Sequence, residues 1–424
     1  MRVKAAILIL LAATAGSLFA QEGTIPTGVP RLDHVFVIMM ENHGFSQIVN
    51  NPNAPFANKL IHSGNTAMNY FAIGHPSLTN YLEIVGASNF GVRSDNNPDW
   101  HNLNCATNLA TGKPNLDGPV SSGLVCPIAG AGTDAATPAI DTTNECNNPP
   151  QPCPPGLISI DGSSIVANDK TVGKTIADQL VARGRSWKSY QESLPPTGAD
   201  NIGFSDGFFT DNPKIHPVPA SETQGLIKQY AAKHNPFVYF RNIQEGHTPG
   251  LTLNQVVGFQ GEGGLFEDLG SGHVPTFSFI APNQCNDQHG RGNAGPVCDF
   301  DPSDDGSQAG LNPGLIFIGD LALRNLVTSI HNSPAWREGR NAIIVVWDEN
   351  DFSFVPNVNQ VVTVVDTNYG VHGVKSTRRF THFSLTKSIE AGLGLPCLNH
   401  ACDSTTPVMS ELFAGRGDND GDDR

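Results

Sequence analysis

Positive charge is scarce in this chain. Lys and Arg number 25 against 40 Asp and Glu, a net charge of −15 over 424 residues. A chain of that sign offers no polyanion-binding surface, so nucleic acid is not expected as a partner. Beyond the N-terminus no segment reads as apolar enough to cross a bilayer, which takes about 20 residues, so no stable membrane insertion is expected. No internal repeat is visible. The eight cysteines lack zinc-finger spacing. The acidic run 299–305 lacks the full spacing and terminal Glu of a calcium loop, and reads as a solvated turn.

The first twenty residues carry Arg2 and Lys4, an apolar and small run over 5–15, and Ala20 before Gln21. This is the pattern of a cleaved secretory signal peptide, and it places the mature protein outside the cytoplasm, secreted or periplasmic. In that compartment an even set of cysteines favours disulfides. They fall into neighbouring pairs, Cys105 with Cys126, Cys146 with Cys153, Cys285 with Cys298 and Cys397 with Cys402, although spacing alone leaves the connectivity open.

Residues 21–414 read as one domain, with Gly- and Pro-rich insertions at about 91–165 and 283–313, and 415–424 as an acidic, disordered tail. Continuous apolar runs at 34–40 and 342–347 suit strands buried on both faces. Residues 236–243 and 275–281 also read as strands, and 77–87, 171–183, 315–330 and 381–393 as helices. Strands separated by helices imply an α/β fold with a mostly parallel central sheet covered by helices on both faces.

In such sheets chemistry collects beyond the carboxyl ends of the strands. The run 34–40 ends in Glu41-Asn42-His43, and 342–347 ends in Asp348-Glu349-Asn350-Asp351. One acidic cluster is an ordinary solvated strand end, but two on one sheet face favour a hard divalent cation. By the same rule Glu245 and His247 follow 236–243, and Asp287 and His289 follow 275–281.

The run HVFVIMMENHGF resembles the opening of the phosphoesterase family that contains bacterial and fungal acid phosphatases and non-haemolytic phospholipases C. GHPSLTNYLEIVGAS, APNQCNDQHG, GDLALRNLVTSIHNSPAW with IIVVWDEND, and THFSLTKSIEAGLGLP resemble its later motifs in the same order. That family is itself similar to the alkaline phosphatase superfamily, which implies a three-layer sandwich. The resemblance implies a divalent metal ion, its identity open, held by Glu41, Asn42, Asp348 and Glu349 and contacting Ser77. It implies Ser77 as nucleophile and a site role for Asp287 and His289, the latter as a further catalytic group. Position in the chain, not the resemblance, adds His247 as a catalytic candidate and Glu245, His75, Asn80, His372 and His382 as supporting or substrate-facing candidates. Thr79 stands where the family usually has proline.

A serine at a helix start faces free amides that favour an incoming phosphate, although plain capping would also place it there. Serine is a weak nucleophile, and a divalent cation can stabilise its alkoxide. The expected activity is hydrolysis of small phosphate monoesters through a phosphoserine. Phospholipase C action on phosphodiester head groups and silent phosphate binding are the alternatives, and no protein partner is evident. In exported protein, mass spectrometry should find all eight cysteines oxidised; eight free thiols would contradict the disulfide reading.

Overall fold

The computed structural model describes residues 22–90, 107–108, 113–114, 173–194, 229–291, 295–303, 305–350 and 359–413. The expected signal peptide, most of the 91–165 insertion with Cys105, Cys126, Cys146 and Cys153, and the 415–424 tail lie outside the described residues. Cys285–Cys298 and Cys397–Cys402 form disulfides.

Eight strands build one sheet: β1 (His34–Met40), β2 (Asn65–Ala67), β3 (Trp187–Gln191), β4 (Val256–Gly258), β5 (Phe277–Ala281), β6 (Asn341–Trp347), β7 (Thr363–Thr367) and β8 (Lys375–Ser376), in the order β8-β2-β7-β6-β1-β5-β3-β4. From β6 through β4 every pairing is parallel, and β7 runs against both its neighbours. Strands β5 and β6 are buried along their whole length, as is β1 after its first residue. That burial on both faces is why their sequences show no polar alternation.

The longer helices are α1 (Pro55–Ser63), α2 (Ser77–Gly86), α3 (Ile176–Ala182), α4 (Leu265–Ser271), α5 (Pro313–Asn332) and α6 (His382–Leu393). They pack as two groups, α1 and α4 against α5, and α3 and α6 against α2, and flank the sheet. By length and composition α5 is apolar enough to span a membrane, contrary to the expectation that no later segment is. One face of it is buried in the fold. Its buried Asp320 accepts the N–H groups of Phe56 and Ala57 at 2.9 and 2.7 Å, satisfying free amides in the first turn of α1.

One expected strand is absent. Residues 236–243 form a 3-10 turn, Pro236–Tyr239, and a single helical turn, Arg241–Glu245. Proline at the first helical position sets a helical φ, and an aromatic run buried on all sides carries no period to tell strand from turn. The strand beside β5 is instead β3.

Phe279 on β5 is fully buried, with ring contacts to Tyr81 of α2 at 6.0 Å and Phe237 at 5.8 Å. Phe279→Ala should cost about 3–5 kcal/mol of stability, measured by chemical denaturation.

Candidate active site

Three adjacent parallel strands, β6, β1 and β5, end at one edge. Met40 pairs with Trp347, so Glu41 and Asp348 leave the sheet side by side. The N–H of Asp348 then donates to Met40 O at 2.9 Å, and that of Glu41 to Asp287 O at 2.8 Å. Asn42 takes a left-handed φ of 59° and donates its backbone N–H to Asp348 Oδ1 at 3.1 Å.

Ser77 is the first residue of α2, whose cap position is taken by Pro76, so Ser77 is not the capping residue. The buried hydroxyl lies 3.2 Å from Glu41 Oε2, 3.3 Å from Glu349 Oε1 and 3.4 Å from Lys233 Nζ. Glu349 Oε2 accepts from Asn80 Nδ2 at 2.9 Å and sits 2.8 Å from His75 Nδ1. Asn80, one helical turn after Ser77, turns its own Oδ1 to the N–H groups of Ile73 and Gly74. The start of α2 is thereby locked to the acidic edge.

On the other side, the buried His234 lies between Glu41 Oε1 and Asp287 Oδ2, each 2.9 Å from a ring nitrogen, and stacks on Tyr81 at 5.2 Å. Burial opposes charging His234, yet the Glu41 and Asp287 carboxylates hold its pKa up at about 9. The resulting cation, with His289 and Lys233, overrides the burial of Glu41 and holds that carboxyl well below the usual range. His289 Nδ1 is 2.9 Å from Gly290 O, and Nε2 is 3.0 Å from Lys233 Nζ. Burial and the Lys233 charge press its pKa down to about 3, so it is neutral. Asp348 is pushed well up by burial and by the charges of Glu41 and Glu349.

The model of the phosphoesterase family matches residues 47–296. The chain belongs to the phosphoesterase family. It is 24% identical over 407 residues to the phosphatidylinositol-3-phosphatase of Mycobacterium tuberculosis, covering 95% of this chain and 90% of that one. It is 21% identical to the phosphate-repressible acid phosphatase of Penicillium chrysogenum, across 86% of this chain but 60% of the fungal protein. Among solved structures, an alkaline phosphatase superfamily protein from Vibrio parahaemolyticus aligns with 88% of this chain and 68% of that one, at 12% identity and a TM-score of 0.43.

The phosphoesterase chain carries a donor set suited to a divalent cation. Glu41, His234 and His289 each offer one ligand atom within 4.8 Å of the others. Asp348 Oδ2 is buried with no hydrogen-bond partner among the described residues. Carboxylate and imidazole donors with an unsatisfied buried oxygen fit a divalent metal ion.

Of the residues singled out from sequence, Glu41, Ser77, Asn80, His75, Asp287, His289, Asp348 and Glu349 come together here, with Asn42 contributing its backbone. His382 stands behind them. Its Nε2 is 2.7 Å from Asp348 O, and its Nδ1 is 2.9 Å from the Tyr70 hydroxyl. Three residues are not brought in. Glu245 pairs with Arg241 at 2.7 Å, and the His247 side chain is 82% exposed; both were placed by the strand at 236–243 that does not form. His372 is half-exposed beside Asp366, which pairs with Ile343, well short of the catalytic end of β6.

Lys233 and His234 escaped sequence reasoning. They precede an apolar run instead of following one, so a rule based on strand ends passes over them. In the 299–305 run Asp301 bonds His43 at 2.9 Å and the Asn312 N–H at 2.7 Å, and Asp305 bonds the Ser307 N–H. His43 in turn reaches Glu41 O at 2.9 Å, so this turn braces the site.

Burial lowers the His382 pKa from 6.5 to about 4, against the favourable bond to Asp348. Above 6.5 both states are neutral. As pH falls from about 6.5 towards 4 the unfolded chain takes a proton that the folded chain refuses, so stability is lost across that window. His382→Gln should flatten the dependence, read from urea denaturation of both proteins at pH 7 and pH 5.

Proposed function

We propose that this phosphoesterase is an exported, metal-dependent phosphomonoesterase of the acid phosphatase type, with residues 21–414 as its catalytic domain and Ser77 as nucleophile. The observation that carries it is the Ser77 hydroxyl, buried at a helix start between Glu41, Glu349 and the Lys233 ammonium. The names of its relatives, among them fungal acid phosphatases, support the same reading.

Ser77 Oγ, held beside the ionised Glu41, attacks phosphorus and its proton passes to solvent. The Oγ–P bond forms while the P–O bond to the alcohol breaks, and the alcohol leaves with a proton from solvent. Lys233 and the amides opening α2 face the phosphoryl oxygens, where charge must be held in the transition state. Water then attacks the phosphoserine, releasing phosphate and restoring the hydroxyl. A divalent cation held by Glu41 and His289, and by His234 once the cation has displaced the proton that His234 shares with Glu41, with Asp348, Glu349 and Asn42 around it, would supply positive charge that lowers the hydroxyl pKa and offsets the phosphate. Neutral His289 presents Nε2 as a donor atom, and Asp287 fixes His234 from behind.

The test is a substrate panel with and without chelator: p-nitrophenyl phosphate, bis-p-nitrophenyl phosphate, p-nitrophenylphosphorylcholine and a phosphoinositide monoester, the last because of the mycobacterial relative's name. Monoesters should be hydrolysed, and exhaustive chelation should abolish turnover. Preference for the diesters would mark a phospholipase C, and phosphate binding without turnover a silent binder. Ser77→Ala should lower kcat by several orders of magnitude, and acid-quenched wild type should carry phosphate on the Ser77 peptide. Retention of more than about a tenth of kcat, under roughly 1.4 kcal/mol, would remove Ser77 from the role.

A further inference from the structure

We propose that Gln288 is a positioning residue: its side chain, locked between Trp347 and helix α5, sets the turn that directs Asp287 and His289 into the site. The proposal rests on the reading above, in which those two residues serve the phosphoryl-transfer centre.

Asp287, Gln288 and His289 form a tight turn in which the Asp287 side chain accepts the N–H of His289 at 2.7 Å, an Asx-turn. Gln288 at its centre has φ of 81°, a left-handed conformation that a residue with a side chain adopts only when the surroundings hold it. Asp287 points to His234, and His289 points to Lys233. The fully buried Gln288 side chain goes the other way.

Both ends of its amide are used. Oε1 accepts the Trp347 indole N–H at 3.0 Å, and Nε2 donates to Ile316 O of α5 at 3.0 Å. An indole only donates and a carbonyl only accepts, so the amide has a single satisfactory orientation. Trp347 immediately precedes Asp348, so one side chain couples the turn bearing Asp287 and His289 to the strand end bearing the second acidic pair.

The space for it is made by Gly319 in the middle of α5. A Cβ there would stand 2.2 Å from Gln288 Cγ. Alanine is the better helix former, and this position forbids it. An apolar side chain of Gln288's length would fill the volume, but would leave the Trp347 N–H buried without an acceptor and the turn without a fixed rotation.

Gln288→Ala, Gln288→Met, Gly319→Ala and the double variant Gln288→Ala/Gly319→Ala separate positioning from bulk stability. Turnover of p-nitrophenyl phosphate, zinc affinity by calorimetry on stripped protein, urea stability, and the His289 ring resonances by NMR are the readouts. The expectation is that Gln288→Met lowers kcat by at least ten-fold with KM within about three-fold, and weakens zinc affinity by a similar factor. The His289 signals should move, while cooperative unfolding persists. Gly319→Ala should lose stability. The double variant should regain it by removing the clash, yet keep low kcat and weak zinc binding.

A double variant with wild-type kcat and zinc affinity, or unmoved His289 resonances in Gln288→Met, would overturn the proposal. Failure of the underlying reading looks different: His289→Ala and Asp287→Asn would both keep full activity, while Gln288→Met still shifted the His289 ring signals.

Discussion

Four carboxylates, Glu41, Asp287, Asp348 and Glu349, are buried together where three parallel strands end, and the site is organised around keeping them there. Burial raises the pKa of a carboxyl group, and so does each neighbouring anion. Glu41 is driven down by His234, His289 and Lys233, whereas Asp287 and Asp348 are pushed up. Compensation is therefore partial. His75 and Asn80 serve Glu349, the Asn42 N–H serves one oxygen of Asp348, and the other oxygen of Asp348 has no hydrogen-bond partner among the described residues. Removing any one cationic or amide partner would strand a buried charge, which costs more than the pair itself contributes.

The scaffold meets this demand through contacts that run from the core to the chemistry. Phe279 of the central sheet touches Tyr81, Tyr81 stacks on His234, and His234 joins Glu41 to Asp287. On the far side, Tyr70 and His382 hold the backbone of Asp348. Helix α2 contributes twice, with Ser77 at its first position and Asn80 a turn later. Packing and electrostatics are thus linked, and a core substitution beneath Tyr81 is also a change at the site.

The span matched by the family, 47–296, holds Ser77, Lys233, His234, Asp287 and His289, whereas Glu41 lies before it and Asp348 and Glu349 lie after it. Sheet order closes that gap. Strand β1 sits between β5 and β6, so a residue before the matched span and two after it meet the residues within it.

By itself the sequence determined the elements whose signals are local. Fully apolar runs at 34–40 and 342–347 demand burial on both faces, and the polar residues directly after them had to stand at the sheet's edge; the helix at Ser77 and the local disulfides at Cys285–Cys298 and Cys397–Cys402 were legible for similar reasons. The resemblance of ordered motifs supplied Ser77 with a role that capping alone would have denied it. Tertiary structure decided what no local pattern encodes. The aromatic stretch at 236–240 is buried throughout and has no period, so only packing made it a turn, which left Glu245 and His247 away from the site and brought Lys233 and His234 inward. Their importance depends on which carboxylates they meet, and those lie between about 50 and nearly 200 residues away along the chain. Charge pairing over such separations is fixed by strand order and helix packing, and it exists only once the chain has folded.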